Sequence, residues 1–363
     1  MRLGVMLSGI VLYSALYAPV PLLPALERLF GAPVGSAGLG ISLPFVALVL
    51  LSPLVPRLRL PAGYLLGGGL FLVGLFGALA ALSASLAGWT FMRTLQGAAV
   101  ALVPALSLAL IPKLFPGRPH EMAGLWVAAN VVGGGVGRGL AGVLADRLGV
   151  EQALILLSLP PMALSVLFFR ERASFSLAVP RYSLSAWRLY FIGLALLFIN
   201  FFVANLLPYR LEALGLSQAQ IGGVFFAYFA GIPGSAFAGI LSRRIGEARA
   251  VRLALLVVMA GILVQATPNP LVILAGFALM MGALFTAQAV AGGASGRQGA
   301  GVSGAYVAAF YLGGVLAGLV YPPFLHAGIW WSVALALAVT LAALSMTRAA
   351  LQGRPSPTNT VSR

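Results

Sequence analysis

Residues 189–209 read LYFIGLALLFINFFVANLLPY, a run of twenty-one residues without one charged side chain. The hydrocarbon core of a bilayer is about 30 Å thick, and a helix of about 20 residues is needed to cross it. This run has that length and is apolar throughout, so it predicts a transmembrane helix.

The whole chain shares the composition of this run. Of its 363 residues, 61% are apolar and 8% are charged, and the mean hydropathy is +1.03. An average soluble protein has about 25% charged residues, so a soluble fold could not cover its surface with so few. Disorder is excluded because it requires low hydrophobicity. The absence of cysteine leaves no disulfide framework and no thiolate metal site. We therefore expect a polytopic membrane protein.

Apolar runs recur along the chain and predict an all-α fold of twelve transmembrane helices. Because the first run is too long for a signal peptide and lacks a clear cleavage site, we expect it to be retained. The approximate limits of the runs are 3–24, 35–55, 62–82, 88–112, 122–145, 150–169, 189–209, 218–241, 250–267, 271–292, 300–321 and 328–347.

The basic residues determine the predicted orientation. The net charge is +15, but the basic side chains are scattered between apolar runs rather than clustered as in a nucleic-acid-binding protein. With the N-terminus inside, seventeen of them fall in cytoplasmic segments, and only Arg28, Arg147 and Arg210 fall outside. Cytoplasmic loops of membrane proteins are enriched in Lys and Arg. We predict a plasma (inner) membrane protein with both termini in the cytoplasm.

The chain also contains an internal repeat. Leu22-Leu23-Pro24 recurs 184 residues later as Leu206-Leu207-Pro208, and the glycines that follow each copy recur at the same offset. Those glycines are Gly31 and Gly38 in the first copy and Gly215 and Gly222 in the second. Six predicted spans separate the copies, so the repeat is parallel. We predict a six-helix half at 1–169, a cytoplasmic linker at 170–188, a second half at 189–347 and a cytoplasmic tail at 348–363.

Local motifs within this frame resemble those of the major facilitator superfamily. Helix 4 has Arg93-Thr-Leu-Gln96-Gly97, similar to the family's Arg-x-x-x-Gly, and helix 5 has a Gly-rich segment from Asn130 to Gly139. The end of helix 8, Gly239-Ile-Leu-Ser-Arg-Arg-Ile-Gly246, resembles the family's inner-loop motif. The segment 276–314 is similar to the YnfM-like branch of efflux permeases. The resemblance implies two six-helix halves that alternate access to a central site, with export as the direction.

Three positions depart from the family motifs. Arg243 stands where the inner-loop motif has Asp, Pro56 stands at the equivalent position of the first half, and Arg138 stands at the usual Pro of helix 5. We assign a structural role to Gly97, Asn130, Gly133, Gly137, Arg138, Gly239, Arg243, Arg244 and Gly246. On helix 5 the spacings Gly133/Gly137 and Gly135/Gly139 are GxxxG pairs, which allow helix backbones to approach closely.

Polar side chains inside the predicted spans are the candidates for substrate binding. Arginine keeps its proton, and its planar donor set suits carboxylate or phosphate. Arg93 is therefore a candidate for binding an anionic group, with Gln96 beside it on the same helix face, although a structural tie between helices is the simpler interpretation of both Arg93 and Arg138. The resemblance implies that helices 1, 4, 7 and 10 line the cavity. The further candidates on those helices are Tyr13, Tyr17, Asn200, Asn205 and Gln288, each of which could instead bond a neighbouring helix.

The carboxylates lie away from the predicted membrane core. All seven fall in or beside predicted loops: Glu27, Glu121, Asp146, Glu151, Glu171, Glu212 and Glu247. Proton-driven transporters usually carry a titratable group within the membrane. Two mechanisms remain open. One is exchange or facilitated diffusion, and the other is proton coupling through Glu27, Asp146 or Glu212 at the outer side, where solvated loop charge is the simpler interpretation.

We therefore expect a secondary transporter of a small organic solute, possessing no catalytic, cofactor or metal site and binding no nucleic acid. Its partners would be the substrate, which could be anionic, and the lipid bilayer, and we expect a monomer. The rival hypotheses are a proton-coupled multidrug antiporter, a transport-dead membrane receptor and a lipid-handling protein. An enzyme is disfavoured because no catalytic motif is present.

Overall fold

The protein is an all-α bundle within the part of the chain described by the computed structural model, residues 1–58, 60–169 and 184–351. The predicted linker at 170–188 and tail at 348–363 lie largely outside those residues, as does Glu171. Twelve helical segments follow one another in the predicted order: α1 (Arg2–Leu29), α2 (Ser36–Val55), α3 (Ala62–Ala81), α4 (Leu86–Leu114), α5 (Pro119–Leu148), α6 (Val150–Ser165), α7 (Trp187–Ala213), α8 (Gln218–Ile245), α9 (Glu247–Val264), α10 (Pro270–Arg297), α11 (Ala300–Ala327) and α12 (Ile329–Leu351).

Ten of these segments are long and apolar enough to cross a membrane. Segment α6 has 16 residues, which is short for a full crossing. Segment α9 has 18 residues but carries Glu247, Arg249 and Arg252 at its start. A multi-pass membrane protein is thereby confirmed, whereas the count of twelve crossings stays a prediction.

Prolines explain where several helices change geometry. Segment α1 is α-helical to Tyr17, passes through a 3₁₀ turn at Val20–Leu22 and resumes at Leu23, because Pro19 and Pro21 have no N–H to donate. In α8, the 3₁₀ stretch Phe225–Ala230 precedes Pro233 for the same reason. These interruptions were absent from the predicted limits, since apolar runs do not reveal local hydrogen bonding.

The packing of the helices repeats between the first six segments and the last six. In the first set α1 packs on α5, α2 on α4 and α3 on α6. The corresponding pairs in the second set are α7 with α11, α8 with α10 and α9 with α12. Two further contacts, α5 with α8 and α2 with α11, join the two sets. They are equivalent in the repeat, because α5 corresponds to α11 and α2 corresponds to α8. This pattern is what a parallel repeat requires.

The repeated glycines occupy equivalent places. Gly31 and Gly215 both have positive φ, at +58° and +82°, in the turn that follows the first helix of each set. A Cβ on Gly38 would lie 2.5 Å from the Tyr321 ring of α11, and one on Gly222 would lie 2.7 Å from a backbone oxygen of α5. Both glycines therefore allow close approach between the sets, at the end of the bundle that contains Glu27. We call this end the Glu27 end.

Candidate functional site

Glycines on two faces of α5 hold this helix at the centre of the molecule. A Cβ on Gly133 would lie 2.3 Å from the Ile10 carbonyl oxygen, and one on Gly137 would lie 2.2 Å from the Ser14 carbonyl oxygen, both on α1. On the other face, Gly135 and Gly139 lie against phenylalanine rings of α8. The predicted close approach of helix backbones is present. Because Gly137 faces α1 and Gly139 faces α8, the residue between them, Arg138, lies between the two sets of helices.

Arg138 is buried in a pocket of aromatic rings. Its guanidinium carbon lies 4.1 Å from the ring centroid of Tyr17, 4.3 Å from that of Tyr228 and 5.5 Å from that of Phe201. Nη1 donates to the Gly134 carbonyl oxygen at 3.1 Å, while the buried Nε and Nη2 have no protein partner. Cation–π contacts contribute about 2 kcal/mol when desolvated. They offset part of the burial cost but leave two donors unsatisfied.

The surrounding rings come from both sets of helices. We use the name aromatic cage for Tyr13, Tyr17, Phe45, Phe201, Tyr228 and Tyr311. The Tyr13 and Tyr311 hydroxyls are 2.9 Å apart and connect α1 to α11. Phe45 lies 5.1 Å from Phe201 and 6.0 Å from Tyr311 between ring centroids. The cage thus combines one cation, apolar ring faces and phenolic hydroxyls at the boundary between the two sets.

Arg93 and Gln96 form a different kind of cluster. The Arg93 guanidinium donates to the Gly40 carbonyl oxygen at 3.3 Å, to the Leu16 carbonyl oxygen at 2.6 Å and to Gln96 Oε1. Gln96 in turn donates to the Val73 carbonyl oxygen at 2.9 Å. The predicted pairing of the two side chains is present. Because Arg93 already has protein acceptors from α1, α2 and α4, its geometry is that of a tie within the first set.

The remaining candidate residues have separate surroundings. Asn200 Oδ1 accepts from the Tyr228 hydroxyl at 2.5 Å and thereby orients one ring of the cage. Asn205 is fully buried on α7, and both of its amide atoms lack a partner. Gln288 is partly buried on α10. The structure brings Tyr13 and Tyr17 into the cage and Asn200 to its edge, whereas Arg93 and Gln96 lie among the first four helices.

The motif glycines pack or turn as their positions require. A Cβ on Gly97 would lie 2.1 Å from the Pro44 carbonyl oxygen, so α4 touches the α2 backbone. Gly246 ends α8 with a φ of +85°, and its neighbours Arg243 and Arg244 are exposed. Gly239 has open space around it apart from Arg243 itself. Asn130 Oδ1 is buried, has no partner and lies over Gly9 of α1.

Polar contacts join the two sets at the Glu27 end. Glu27 Oε1 accepts from the Tyr209 hydroxyl at 2.8 Å and from the Ala37 N–H at 2.9 Å, and Oε2 has no partner. Arg28 and Glu212 form an ion pair at 2.6 Å. Asp146 accepts from the Ala219 N–H at 3.4 Å. Glu27 is only 3% exposed, so the interpretation of Glu27 as a solvated loop charge is wrong.

Sequence reasoning did not select Phe45, Phe201, Tyr228 or Tyr311 for the site. The expected cavity helices were 1, 4, 7 and 10, and three of these four residues lie on α2, α8 and α11. The fourth residue, Phe201, lies on α7 and could have been found from the internal repeat, because the offset of 184 residues pairs it with the candidate Tyr17. Their ring centroids are 5.5 Å apart. Groups of His, Cys, Asp or Glu able to hold a metal are absent from the described residues.

Comparison with known proteins agrees with this architecture. The Major Facilitator Superfamily model matches residues 5–205. YybF of Bacillus subtilis, an uncharacterized MFS-type transporter, is 25% identical over an alignment of 362 positions that covers 92% of this chain and 90% of YybF. The inner membrane transport protein YnfM of Escherichia coli is 28% identical over 263 residues, covering 66% of this chain and 62% of YnfM.

Solved structures share the fold. A bacterial homolog of the human lysosomal transporter Spinster, in an inward-facing and unoccupied conformation, superposes with a TM-score of 0.76 at 12% identity and 98% coverage of both chains. The inward-facing and occupied form gives 0.71 at 13% identity, covering 96% of this chain and 92% of the homolog. With the family match extending over more than half of the sequence, the chain belongs to the Major Facilitator Superfamily.

Proposed function

We propose that this transporter moves a small organic anion with an apolar body, and that the anion binds at Arg138 within the aromatic cage. The observation that carries the proposal is the pair of unpartnered nitrogens, Nε and Nη2, on an arginine that is 1% exposed. A buried cation is costly unless it has acceptors. An anionic group would supply them, and the ring faces would pack against the apolar body.

This proposal reverses the roles expected for the two arginines. The three acceptors of Arg93 support a structural role for it, whereas the free donors of Arg138 support a role in binding. The position of the cage also favours this assignment. Its rings come from both sets of helices, so a ligand there would contact both halves of the transporter and could respond to their relative movement.

The contacts at the Glu27 end support a conformation in which that end is shut. With the predicted topology the Glu27 end faces the periplasm, so the periplasmic side is the side that is shut. The topology is tested with reporter fusions. Reporters after Arg118 and Arg252 should be cytoplasmic, and one after Glu212 should be periplasmic. Reversal at any two positions would exclude this orientation.

The substrate class is tested by ligand screening followed by flux measurement. Purified protein is screened by thermal shift against carboxylates, sulfonates and phosphate esters, with neutral and cationic analogues of the same bodies, because specific ligands raise apparent stability. Compounds that stabilise the protein are then assayed for counterflow in proteoliposomes. We expect anions to dominate. Stabilisation and flux by cationic compounds alone would overturn the proposal.

Substitutions then test the site itself. Arg138→Gln removes the charge-assisted hydrogen bonds to the anion, and the loss of even one, at about 1.5–3 kcal/mol, should weaken its binding by at least about 10- to 100-fold. Arg138→Lys should also weaken it, because the fork of donors is lost. Arg147→Gln, an exposed arginine at the end of α5, serves as the control and should bind normally. Unchanged affinity in Arg138→Gln would remove Arg138 from the site.

Proton coupling through Glu27 is a second candidate mechanism, favoured by one observation. Glu27 is buried and accepts a hydrogen bond from Tyr209 across the two sets of helices, so protonation of this carboxylate would weaken a contact that shuts the Glu27 end. Simple exchange requires transport to persist after the pH gradient is collapsed. Accumulation that is abolished by an uncoupler and by Glu27→Gln, with exchange intact, would select the coupled mechanism.

Export, a monomeric state and the absence of enzymatic activity belong to the same proposal. Both named relatives are described as transporters, which supports transport rather than catalysis. Directional flux in oriented vesicles tests export, and light scattering of the purified protein tests the monomer. Specific binding without any flux would favour the receptor alternative.

A further inference from the structure

A cavity lies within the last six segments, and none of the residues that line it belongs to the aromatic cage. Its volume is about 230 Å³, and it is formed by α7, α9, α11, α12 and adjoining loop residues. Its deep part is lined by buried apolar residues, among them Phe202, Ile262, Val333 and Ala336. These residues belong to one set of helices, and Tyr209, which also lines the cavity, is the lining residue that hydrogen-bonds Glu27 of the other set.

The cavity opens at the level of the membrane interface. Ala213 and Gly328 line it and are exposed, in contrast to the buried deep part. Directly after Gly328, Trp330 and Trp331 are each 67% exposed. Exposed tryptophans of membrane proteins concentrate at the headgroup level of the bilayer. The mouth of the cavity therefore lies near the headgroups, and its deep part lies at hydrocarbon depth.

Two polar side chains on the cavity wall have unsatisfied atoms. Arg210, in the last turn of α7, donates through Nη2 to the Thr267 carbonyl oxygen at 2.7 Å, while its buried Nε has no partner. Gln265 is 5% exposed, and its Oε1 likewise has no partner. One cationic donor and one amide acceptor with unsatisfied atoms thus accompany a mostly apolar lining, to which Tyr209 and Ser332 also contribute. An occupant needs an anionic group, a hydrogen-bond donor and an apolar chain.

We propose that this cavity is a binding site for an anionic phospholipid, with one acyl chain in the cavity and the phosphate at Arg210. The phosphate would accept from Arg210 Nε, and a headgroup hydroxyl would donate to Gln265 Oε1. Charge and position both favour this occupant over a free soluble anion, since the wall is mostly apolar and the mouth lies where phosphates of the bilayer lie. The site is independent of substrate binding at Arg138.

The experiment measures lipid binding to the purified full-length chain by native mass spectrometry and thermal unfolding. The probes are phosphatidylglycerol, phosphatidylcholine with the same acyl chains, and inorganic phosphate. For the unmodified protein we expect phosphatidylglycerol to bind about tenfold more tightly than phosphatidylcholine. Both lipids carry the phosphate that accepts from Arg210, but the choline cation of phosphatidylcholine offsets that negative charge and is repelled by the guanidinium. Inorganic phosphate alone should produce no stabilisation at the same concentration.

Matched variants distinguish the contribution of the lipid headgroup to binding from that of its acyl chain. Arg210→Gln should abolish the preference for phosphatidylglycerol, and Arg147→Gln, which changes an exposed arginine at the same predicted side, should retain it. Ala336→Leu fills part of the deep cavity without changing charge, and it should weaken binding of both lipids. If Arg210→Gln does not fold, Ala336→Leu still tests whether an acyl chain occupies the deep part of the cavity. The proposal would be overturned if the unmodified protein bound the two lipids equally, or if the preference survived Arg210→Gln. It would also be overturned if Ala336→Leu left lipid binding unchanged, or if inorganic phosphate competed fully with the lipid.

Discussion

Removing the Tyr209 hydroxyl should loosen the Glu27 end of the transporter. The hydroxyl donates to Glu27 Oε1 at 2.8 Å, and it joins α7 to α1 across the two sets of helices. Tyr209→Phe removes this hydrogen bond and keeps the ring. The neighbouring ion pair of Arg28 and Glu212 has side chains that are 58% and 33% exposed, so it contributes only about 0–1 kcal/mol.

The size of the effect follows from the charge of the acceptor. A hydrogen bond to a charged group contributes about 1.5–3 kcal/mol net, and about 1.4 kcal/mol corresponds to a factor of ten in a conformational equilibrium. Glu27 retains the Ala37 N–H as a donor in the variant, so the lower part of this range applies. We expect the population with the Glu27 end open to rise about tenfold.

The absence of cysteine makes this opening measurable without other changes to the chain. Ser42 is fully buried on α2, and its Oγ would lie 2.1 Å from a Cβ placed on Gly318 of α11. A cysteine introduced as Ser42→Cys is therefore covered while the two helices touch. Its rate of reaction with a membrane-impermeant maleimide reports the open fraction, and Tyr209→Phe should raise that rate about tenfold.

Tyr306→Phe is the matched control for this experiment. Tyr306 is also a buried tyrosine, but its hydroxyl has no hydrogen-bond partner. Its removal should leave the labelling rate of the introduced cysteine within about twofold. The reasoning fails if Tyr209→Phe leaves the rate unchanged, or if Tyr306→Phe raises it equally.

Three other perturbations have defined outcomes. Gly137→Ala should destabilise the protein by about 1–3 kcal/mol through overpacking and so lower its thermal unfolding midpoint, because its Cβ would lie 2.2 Å from a carbonyl oxygen of α1. Gly124→Ala, at a position of the same helix with open space around it, should not lower the midpoint and should raise it slightly, because Ala is the better helix former. The double variant Ser42→Cys/Gly318→Cys should form a disulfide, since the Cβ atoms would be 3.3 Å apart. Transport should then stop until a reductant is added. Continued flux in the fully oxidised protein would contradict a gate between α2 and α11. Glu27→Gln should weaken the bond to Tyr209 and speed labelling of the Ser42→Cys reporter by up to about tenfold, since a neutral acceptor contributes about 0.5–1.5 kcal/mol instead of about 1.5–3.

The helical membrane architecture could be predicted because its causes are local. A segment such as 189–209 must form a helix in lipid, since its backbone groups have no other partners there. The glycines could be assigned in the same way. Gly31 and Gly215 could be assigned to equivalent turns, because each lies between two predicted spans at the same position of the repeat. Gly133 and Gly137 could be assigned to one face of a helix, because they are four residues apart.

The roles of the arginines could not be predicted in this way. Arg93 and Arg138 both lie inside apolar runs, and the cost of burying either charge is the same when only the sequence is considered. The difference between them arises from acceptors supplied by distant helices. Arg93 reaches backbone oxygens of α1 and α2, whereas Arg138 meets the rings of Tyr17, Phe201 and Tyr228 and keeps two free donors.

Composition and apolar run length thus determined the membrane class and the order of the helices, because each is read along the chain, and the local motifs indicated the family by resemblance. Tertiary packing alone decided which cation is satisfied and which carboxylate is buried. Glu27 lies near the end of α1, where the sequence indicates a loop charge, and it becomes a buried contact only because α7 brings Tyr209 against it. Hydrogen-bond satisfaction depends on neighbours that are far apart in the chain, and hydrophobic periodicity carries no information about those pairings.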